Sequence, residues 1–118
     1  LASGAPPERV TISSDAGGCL PCFDADGRVC SMDVGSAGAL LESLRELLGA
    51  GVALETLLPA FTSNPARLLR LSDKGRIAAG ADADLVALDA TGGADTVIIR
   101  GAVHVRGGRA VRRGTFES

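Results

Sequence analysis

Apolar residues recur three and four positions apart in the segment that follows residue 36, which is the spacing of one buried helix face. The apolar positions are Ala37, Leu40, Leu41, Leu44, Leu47 and Leu48. Ser36 precedes this series and is predicted to be the N-cap, while Gly49 is predicted to end the helix. The charged residues Glu42, Arg45 and Glu46 fall on the opposite face, so the helix is predicted to bury one side and expose the other.

Two further helices are predicted between residues 54 and 70. The first covers residues 54–61 and contains Pro59 near its end. The second covers residues 63–70, with Asn64 as the predicted N-cap and Pro65 as the first helical residue, because proline is common at that position. The middle of the chain is therefore predicted to be helical.

The periodicity changes after Lys74 to short strands separated by glycine turns, which is typical of a small β-domain. Strands are predicted over residues 75–77, 85–88, 96–100, 103–106 and 109–111, with a hairpin turn at residues 107–108. Asp82 and Asp84 are predicted to be turn residues rather than metal ligands, because no His or Cys lies near them in the sequence. His104 is predicted to be a strand side chain. The last strands are predicted to carry one solvated arginine face, formed by Arg106, Arg109, Arg112 and Arg113.

A β-branched run near the start of the chain ends on an acid and two glycines. Residues 9–14 are predicted to form a strand, and Asp15 follows at its carboxyl end. In parallel α/β sheets and barrels that edge is where ligands bind, so Asp15 is a candidate catalytic and metal-binding residue. The same residues also suit an ordinary turn, in which the Asp15 carboxylate accepts hydrogen bonds from the backbone of Gly17 and Gly18. The residue types alone leave both interpretations open.

The segment between Asp15 and Gly35 shows no sustained periodicity and is predicted to be a long loop. Residues 24–27 predict a turn within it, and they lack the further oxygen ligands and the closing Glu that a calcium loop requires. The segment also contains Cys19, Cys22 and Cys30. The first two cysteines have the spacing of half a zinc site, but such a site needs four ligands and the only His is distant. Free thiols are therefore predicted.

Composition narrows the classes of function. The 118 residues carry 12 basic and 14 acidic side chains, a net charge of −2, with no Trp or Tyr and only three Phe. This balance argues against nucleic-acid binding, and no apolar run has the length of a membrane span. An odd number of cysteines without a secretory signal predicts a cytoplasmic protein. Because the chain begins at Leu1 rather than Met, it is expected to be a fragment.

Several motifs follow one another in an order that resembles the C-terminal part of the amidohydrolase superfamily. They are the run ending on Asp15, the helix start at residues 62–66, the segment 74–89, and the Arg-Gly and Gly-Gly pairs at residues 100–101 and 107–108. The resemblance implies an α/β fold, namely a metal-dependent hydrolase built on a (β/α)8 barrel with a small β-sandwich domain. Residues 1–72 are then expected to be the C-terminal portion of the barrel, and residues 73–118 the C-terminal portion of the sandwich.

Within that superfamily, the chain most resembles the isoaspartyl dipeptidases, which hydrolyse β-aspartyl dipeptides. The matching motifs are the Ser-Asp pair at residues 14–15, Phe-Asp-x-x-Gly at residues 23–27 and the segment 113–117. The resemblance implies that Asp15 is a metal ligand that also takes a proton from the attacking water and passes it to the leaving amine. It also implies that Cys19 occupies the position of a substrate-binding hydroxyl, although a thiol is the weaker hydrogen-bond donor.

The family's binuclear zinc site also uses an H-x-H pair, a carboxylated lysine and two further histidines, whereas this chain has a single His. The resemblance therefore implies that these ligands lie in a preceding part of the same enzyme, that the enzyme is a homo-oligomer, and that this chain alone is inactive. Two alternatives stay open at this point. One is an amidohydrolase acting on cyclic amides, imidazolonepropionase-like or dihydroorotase-like, and the other is a truncated chain without catalytic function.

Overall fold

A computed structural model of the chain describes Gly4 and residues 6–114. Within this part, a two-stranded hairpin and three helices precede a four-stranded antiparallel sheet, which together make a mixed α/β fold. The final residues of the motif at 113–117, from residue 115 onward, lie outside the described residues. In the described part of the chain, the helices are too short and too polar to cross a membrane.

The three helices lie where the apolar spacing predicts them. Helix α1 spans Ala39–Gly49, α2 spans Leu54–Phe61 and α3 spans Ser63–Leu68. The bounds predicted for α2 are confirmed at both ends. The prediction that Ser36 caps α1 is wrong: its Oγ accepts a hydrogen bond from the Gly38 backbone N–H at 3.1 Å, and this short turn delays the start of the helix until after Gly38.

The core lies among these helices and is small. Its buried apolar side chains are Leu44 of α1, Leu57 and Ala60 of α2, and Ala66 of α3. The other leucines of the α1 stripe are half-buried, whereas Ala37 is exposed because it precedes the helix. Glu42, Arg45 and Glu46 are exposed, so the predicted division of α1 into a buried and a solvated face is confirmed.

Residues 15–35, predicted to be a loop, contain a β-hairpin. Strand β1 spans Cys19–Phe23 and β2 spans Val29–Val34, and the two pair antiparallel. Both strands are exposed along their whole length. Because neither strand has a buried face, the sequence shows no alternation of apolar and polar residues that would predict them. Several apolar side chains of this hairpin are more than half exposed, namely Phe23 at 57%, Val29 at 54%, Met32 at 61% and Val34 at 65%.

The turn predicted at residues 24–27 is confirmed, and it closes this hairpin. The Asp24 carboxylate accepts hydrogen bonds from the backbone N–H groups of Asp26 and Arg28 at 3.0 and 2.8 Å. The Gly27 N–H donates to the Asp24 carbonyl at 3.0 Å. Asp24 therefore serves the backbone of its own turn, as acids in such turns commonly do.

The second sheet is an antiparallel meander in chain order. Its strands are β3 at Leu85–Leu88, β4 at Ala94–Ile99, β5 at Ala102–Arg106 and β6 at Arg109–Ala110. These four strands and the turn at residues 107–108 confirm the prediction, with shifts of one or two residues at the ends of β4, β5 and β6. His104 lies in β5, and the arginines at positions 106, 109, 112 and 113 are all exposed, as predicted.

The strand predicted at residues 75–77 is not formed, because this segment turns against α3 instead. Gly75 has a left-handed backbone with φ of 77°. A Cβ on Gly75 would lie 2.6 Å from the Ala66 Cβ and 2.7 Å from the Thr62 carbonyl oxygen, so only glycine fits this close approach. Gly75 therefore packs the segment that connects the helices to the second sheet against α3.

The strand predicted over residues 9–14 is also absent. Pro7–Arg9 forms a single 3-10 turn, and the extended segment that follows donates the Ile12 N–H to the Ala60 carbonyl of α2 at 3.2 Å. A β-strand exists only where a neighbouring strand shares its hydrogen-bond ladder. No strand in the described residues lies beside this segment, so its extended backbone rests on helices.

Candidate active site

Asp15 lies in the turn that leads into β1. Its backbone is left-handed, with φ of 50°, a conformation that residues other than Gly seldom adopt and that Asp tolerates better than most. The two preceding serines support the turn, since the Oγ atoms of Ser13 and Ser14 accept hydrogen bonds from the N–H groups of Asp15 and Ala16 at 3.2 and 3.3 Å. The turn therefore sets the direction in which the Asp15 side chain leaves the backbone.

Two glycines pack directly against Asp15. A Cβ on Gly35 would lie 2.1 Å from the Asp15 backbone oxygen, and a Cβ on Gly18 would lie 3.0 Å from the same oxygen. The Gly35 N–H donates to the Gly18 carbonyl, and the Gly17 N–H donates to the Gly35 carbonyl, both at 2.9 Å. The base of the hairpin and the Asp15 turn are therefore one hydrogen-bonded unit, in which residue 35 has no room for a side chain.

The Asp15 carboxylate does not close its own turn. The Gly17 N–H is bonded to the Gly35 carbonyl, and the Gly18 N–H is bonded to the backbone oxygen of Asp15 at 2.9 Å. The turn itself is therefore confirmed, whereas the expectation that the carboxylate accepts hydrogen bonds from these two amides is wrong. Asp15 is exposed, and its carboxylate forms no hydrogen bond or ion pair with any of the described residues. Both carboxylate oxygens are thus available to a ligand.

Asn64 of α3 binds the segment that leads to Asp15. Its Nδ2 donates to the Pro7 carbonyl at 2.9 Å and to the Val10 carbonyl at 2.8 Å. The prediction that Asn64 caps α3 is wrong, because Thr62 occupies the N-cap position. Its partners lie 57 and 54 residues away in the sequence, so a local pattern could not reveal this role.

The candidate substrate-binding residue Cys19 begins β1, opposite Val34, and is exposed. Cys22 and Cys30 are exposed as well, and the Cys30 Sγ donates to the Cys22 carbonyl at 3.2 Å. All three cysteines are free thiols, as predicted. Cys19 follows Asp15 by four residues, so the hairpin presents its thiol close in sequence to the free carboxylate.

The described residues bring together no group of three or more His, Cys, Asp or Glu side chains that could hold a metal ion. Zinc in proteins takes about four ligands from such side chains. Asp15 fits one of these positions, because its carboxylate has no protein partner in the described part of the chain. A complete zinc site would need ligands from elsewhere.

Asp82 and Asp84 bind Lys74 in a charged cluster that the sequence does not predict. Lys74 Nζ donates to Asp82 Oδ2 at 2.9 Å and to Asp84 Oδ2, and the Arg100 N–H donates to Asp84 Oδ1 at 2.8 Å. The hydrogen bonds from Lys74 and then from the Arg100 backbone lower the pKa of Asp84. The hydrogen bonds to Asp84 and Asp82 raise the pKa of Lys74. The cluster joins the segment after α3 to the start of β3 and the end of β4.

We expect this cluster to stabilise the fold within a pH window. Because the folded-state pKa of Asp84 is lowered, its contribution is present above the ordinary value of 3.8 and is lost as the pH falls through the folded-state pKa. Because the pKa of Lys74 is raised, its contribution is present below the ordinary value of 10.5 and is lost as the pH rises through the folded-state pKa. Lys74→Met should therefore lower the melting temperature at neutral pH but not in acid.

The matched control is Arg76→Met, which also removes one positive charge, but from a side chain that donates to the Ser72 carbonyl rather than to a carboxylate. Its melting temperature should show no such acid dependence. The groups of the cluster are partly exposed, so 1 M salt, where screening acts over about 3 Å, should shrink the effect of Lys74→Met. Equal melting temperatures for the parent and Lys74→Met at neutral pH would contradict a stabilising cluster.

The fold, the Asp15 turn and the free carboxylate agree with one family of hydrolases. The sequence matches the amidohydrolase family over residues 2–106 of 118, and the chain belongs to that family. The family is generally metal-dependent, which suits a carboxylate without a protein partner.

Solved structures confirm the narrower resemblance to isoaspartyl dipeptidases. The chain is 38% identical to a β-aspartyl dipeptidase from the thermophilic, keratin-degrading Fervidobacterium islandicum AW-1 in complex with β-Asp-Leu dipeptide, with a TM-score of 0.81 over 93% of this chain and 28% of that one. A second structure of β-aspartyl dipeptidase from this organism is 32% identical, with a TM-score of 0.77 over 98% of this chain and 28% of that one. The chain thus spans little more than a quarter of these proteins.

The fold extends to a more distant protein. An N-acetylglucosamine-6-phosphate deacetylase from Thermotoga maritima is 22% identical, with a TM-score of 0.64 over 85% of this chain and 32% of that one. At this identity the similarity concerns the fold alone. The arrangement of hairpin, helices and second sheet therefore occurs in proteins that differ in the reaction named for them.

Proposed function

We propose that the chain is the C-terminal segment of a zinc-dependent isoaspartyl dipeptidase, which cleaves the β-aspartyl peptide bond of dipeptides. The observation that carries the proposal is the Asp15 carboxylate, which is exposed, lies on a turn with a left-handed backbone and is bonded to none of the described residues. Similarity to two β-aspartyl dipeptidase structures, one in complex with β-Asp-Leu, supports the substrate class.

Asp15 is proposed to move the proton that hydrolysis requires. Water adds to the carbonyl carbon of the β-amide and must lose a proton, while the amine of the second residue must gain one as the C–N bond breaks. Asp15 accepts the first proton on its carboxylate and returns it to the amine nitrogen, so it ends the cycle ionised as it began. This role needs a carboxylate that is not bonded to its own backbone, and the Asp15 carboxylate accepts no hydrogen bond from the amides of its turn.

Asp15 is also proposed to be one ligand of the zinc site. When bound, zinc polarises the substrate carbonyl and lowers the pKa of water. The described residues fit only one ligand position, so the other ligands are assigned to a preceding part of the same enzyme. For the same reason, the chain by itself is proposed to be inactive.

Cys19 is proposed to contact the substrate. It is exposed at the start of β1, four residues after Asp15, on the hairpin whose base packs against Asp15. A thiol donates a weaker hydrogen bond than a hydroxyl, so Cys19 holds the substrate less tightly than serine would at the same place.

The proposal extends to the architecture of the whole enzyme, for which membership of the amidohydrolase family is the support. Residues 1–72 are proposed to complete a (β/α)8 barrel and residues 73–118 a small β-sandwich, in a homo-oligomer. The extended segment that carries Asp15 would then gain the strand neighbours that the described residues do not supply. Three free thiols in one segment suit the reducing cytoplasm.

A substrate panel tests this function on the zinc-loaded, full-length protein. β-Aspartyl-leucine, α-aspartyl-leucine, dihydroorotate and imidazolonepropionate are supplied in turn, and the product of each hydrolysis is measured. We expect cleavage of β-aspartyl-leucine alone. Cleavage of a cyclic amide in its place would assign the chain to another branch of the family, and no cleavage of any of the four would support a chain without catalytic function.

A further inference from the structure

We infer that Asn64 is a positioning residue for Asp15, an inference that rests on the proposed function. Asn64 is 3% exposed, which makes it a buried polar side chain in a core otherwise formed by leucines and alanines. Burying an amide is unfavourable unless its donors and acceptor are bonded, so the contacts of Asn64 explain why it is there. These contacts are hydrogen bonds to the segment that leads to Asp15 and a hydrogen bond from Arg67, which orients the amide.

Both Nδ2 hydrogens of Asn64 are used on that segment. One is donated to the Pro7 carbonyl at 2.9 Å and the other to the Val10 carbonyl at 2.8 Å. The amide oxygen Oδ1 accepts a hydrogen bond from Arg67 Nη2 at 3.2 Å. The same Arg67 nitrogen donates to the Glu8 carbonyl. Asn64 and Arg67 lie one helical turn apart on α3. Together they donate hydrogen bonds to three carbonyls of the segment, those of Pro7, Glu8 and Val10.

Between Val10 and the turn at Asp15, the described residues give the segment few hydrogen bonds to the helices. Its one further backbone contact with the helices is the hydrogen bond from the Ile12 N–H to the Ala60 carbonyl at 3.2 Å. Asp15 lies five residues beyond the Val10 carbonyl and three beyond the Ile12 N–H, so its place depends on where these two hydrogen bonds hold the segment. A change of direction at Val10 therefore moves the Asp15 carboxylate, and misplacement by about 1 Å can cost 10²-fold in rate.

The test compares Asn64→Asp with the parent in the zinc-loaded, full-length enzyme, using β-aspartyl-leucine. Aspartate has the same shape as asparagine but its carboxylate donates no hydrogen bond, so the Pro7 and Val10 carbonyls lose the hydrogen bonds from residue 64. We expect kcat to fall about tenfold, as for a displacement of less than 1 Å, with KM unchanged. The matched control is Ala66→Gly, another buried position of α3, which destabilises the helix without touching the segment. It should lower the melting temperature and keep the parent's kcat.

A double variant separates positioning from general damage. If Asn64 acts through Asp15, adding Asn64→Asp to Asp15→Asn should cause no further fall in kcat, because the group being positioned has already lost its chemistry. If Asn64→Asp lowers the kcat of Asp15→Asn by the same factor as it lowers the kcat of the parent, the inference is overturned. It is also overturned by an Asn64→Asp enzyme with the parent's kcat, or by an Ala66→Gly enzyme whose kcat falls as far as that of Asn64→Asp.

If Asn64→Asp does not fold, Arg67→Met decides the question, because Arg67 is exposed and its loss removes the hydrogen bonds to the Asn64 amide oxygen and to the Glu8 carbonyl of the segment. A fall in kcat at constant KM is expected, and an unchanged kcat overturns the inference. The proposed function fails in a different way, since it predicts that the parent itself cleaves β-aspartyl-leucine. An inactive parent would refute both, whereas an active parent with unaffected variants would refute only the positioning role.

Discussion

Asp15→Asn is expected to leave the full-length enzyme folded and to remove nearly all hydrolysis of β-aspartyl-leucine. Asparagine keeps the size of the side chain and one oxygen for the metal, but it cannot accept and return a proton. General acid–base catalysis is worth roughly 10²- to 10⁴-fold, and a weakened metal contact adds to this. Because the Asp15 carboxylate bonds none of the described residues, the melting temperature should hardly change.

The matched control for this variant is Asp26→Asn in the β1–β2 turn, which removes another exposed carboxylate from the same hairpin. It should retain the parent's turnover. Measuring kcat, zinc content and melting temperature on both variants separates catalysis from folding. If Asp15→Asn kept turnover within about tenfold of the parent, well short of the acid–base effect, Asp15 would be only a turn residue.

Gly35→Ala is expected to have the second largest effect, although residue 35 makes no contact with substrate in the proposed mechanism. The added Cβ would lie 2.1 Å from the Asp15 backbone oxygen and 2.8 Å from the Asp15 carbonyl carbon. Both distances are far below van der Waals contact, so the turn must move, and with it the two hydrogen bonds between its glycines and Gly35. We expect kcat to fall by about 10²-fold, the cost of misplacing a catalytic group by about 1 Å.

Gly38→Ala provides the comparison, because it makes the same chemical change three residues later. A Cβ on Gly38 would meet nothing nearer than the Ser36 Oγ at 3.4 Å, which is ordinary contact, and its φ of −67° suits alanine. Its kinetics should match those of the parent. Parent-like kinetics in Gly35→Ala as well would show that the geometry of the Asp15 turn does not matter to the reaction.

The sequence predicts those elements that carry their own periodicity or their own turn residues. Helix α2 at Leu54–Phe61 and strand β3 at Leu85–Leu88 are predicted at both ends. The apolar residues of α2 follow the helical spacing, and β3 is an apolar run with a turn after it. Helix α1 is predicted from its leucine stripe, and only its first residues differ, since a hydroxyl that can cap a helix can equally close a short turn.

The sequence does not reveal features whose partners lie far along the chain, nor strands that bury neither face. The β1–β2 hairpin is exposed on both faces, so no alternation marks it. Asn64 has the sequence context of a helix cap, and only the fold shows that Pro7 and Val10 lie beside it. The sequence also leaves open whether the Asp15 carboxylate bonds the amides of Gly17 and Gly18. The structure decides this, because Gly35 lies against the turn and accepts the hydrogen bond from the Gly17 N–H.

The hairpin also bears on how the enzyme responds to heat. A two-stranded hairpin with exposed Phe23, Met32 and Val34 is marginally stable by itself, and local opening costs less free energy than global unfolding. Because Gly35 at its base shares hydrogen bonds with the Asp15 turn, an open hairpin no longer holds in place the carboxylate proposed to be catalytic. Activity would then fade on warming while the helices and the second sheet are still folded, and it would return on cooling. If Asp15 acts as proposed, the upper working temperature would be set by this strand pair rather than by the helical core.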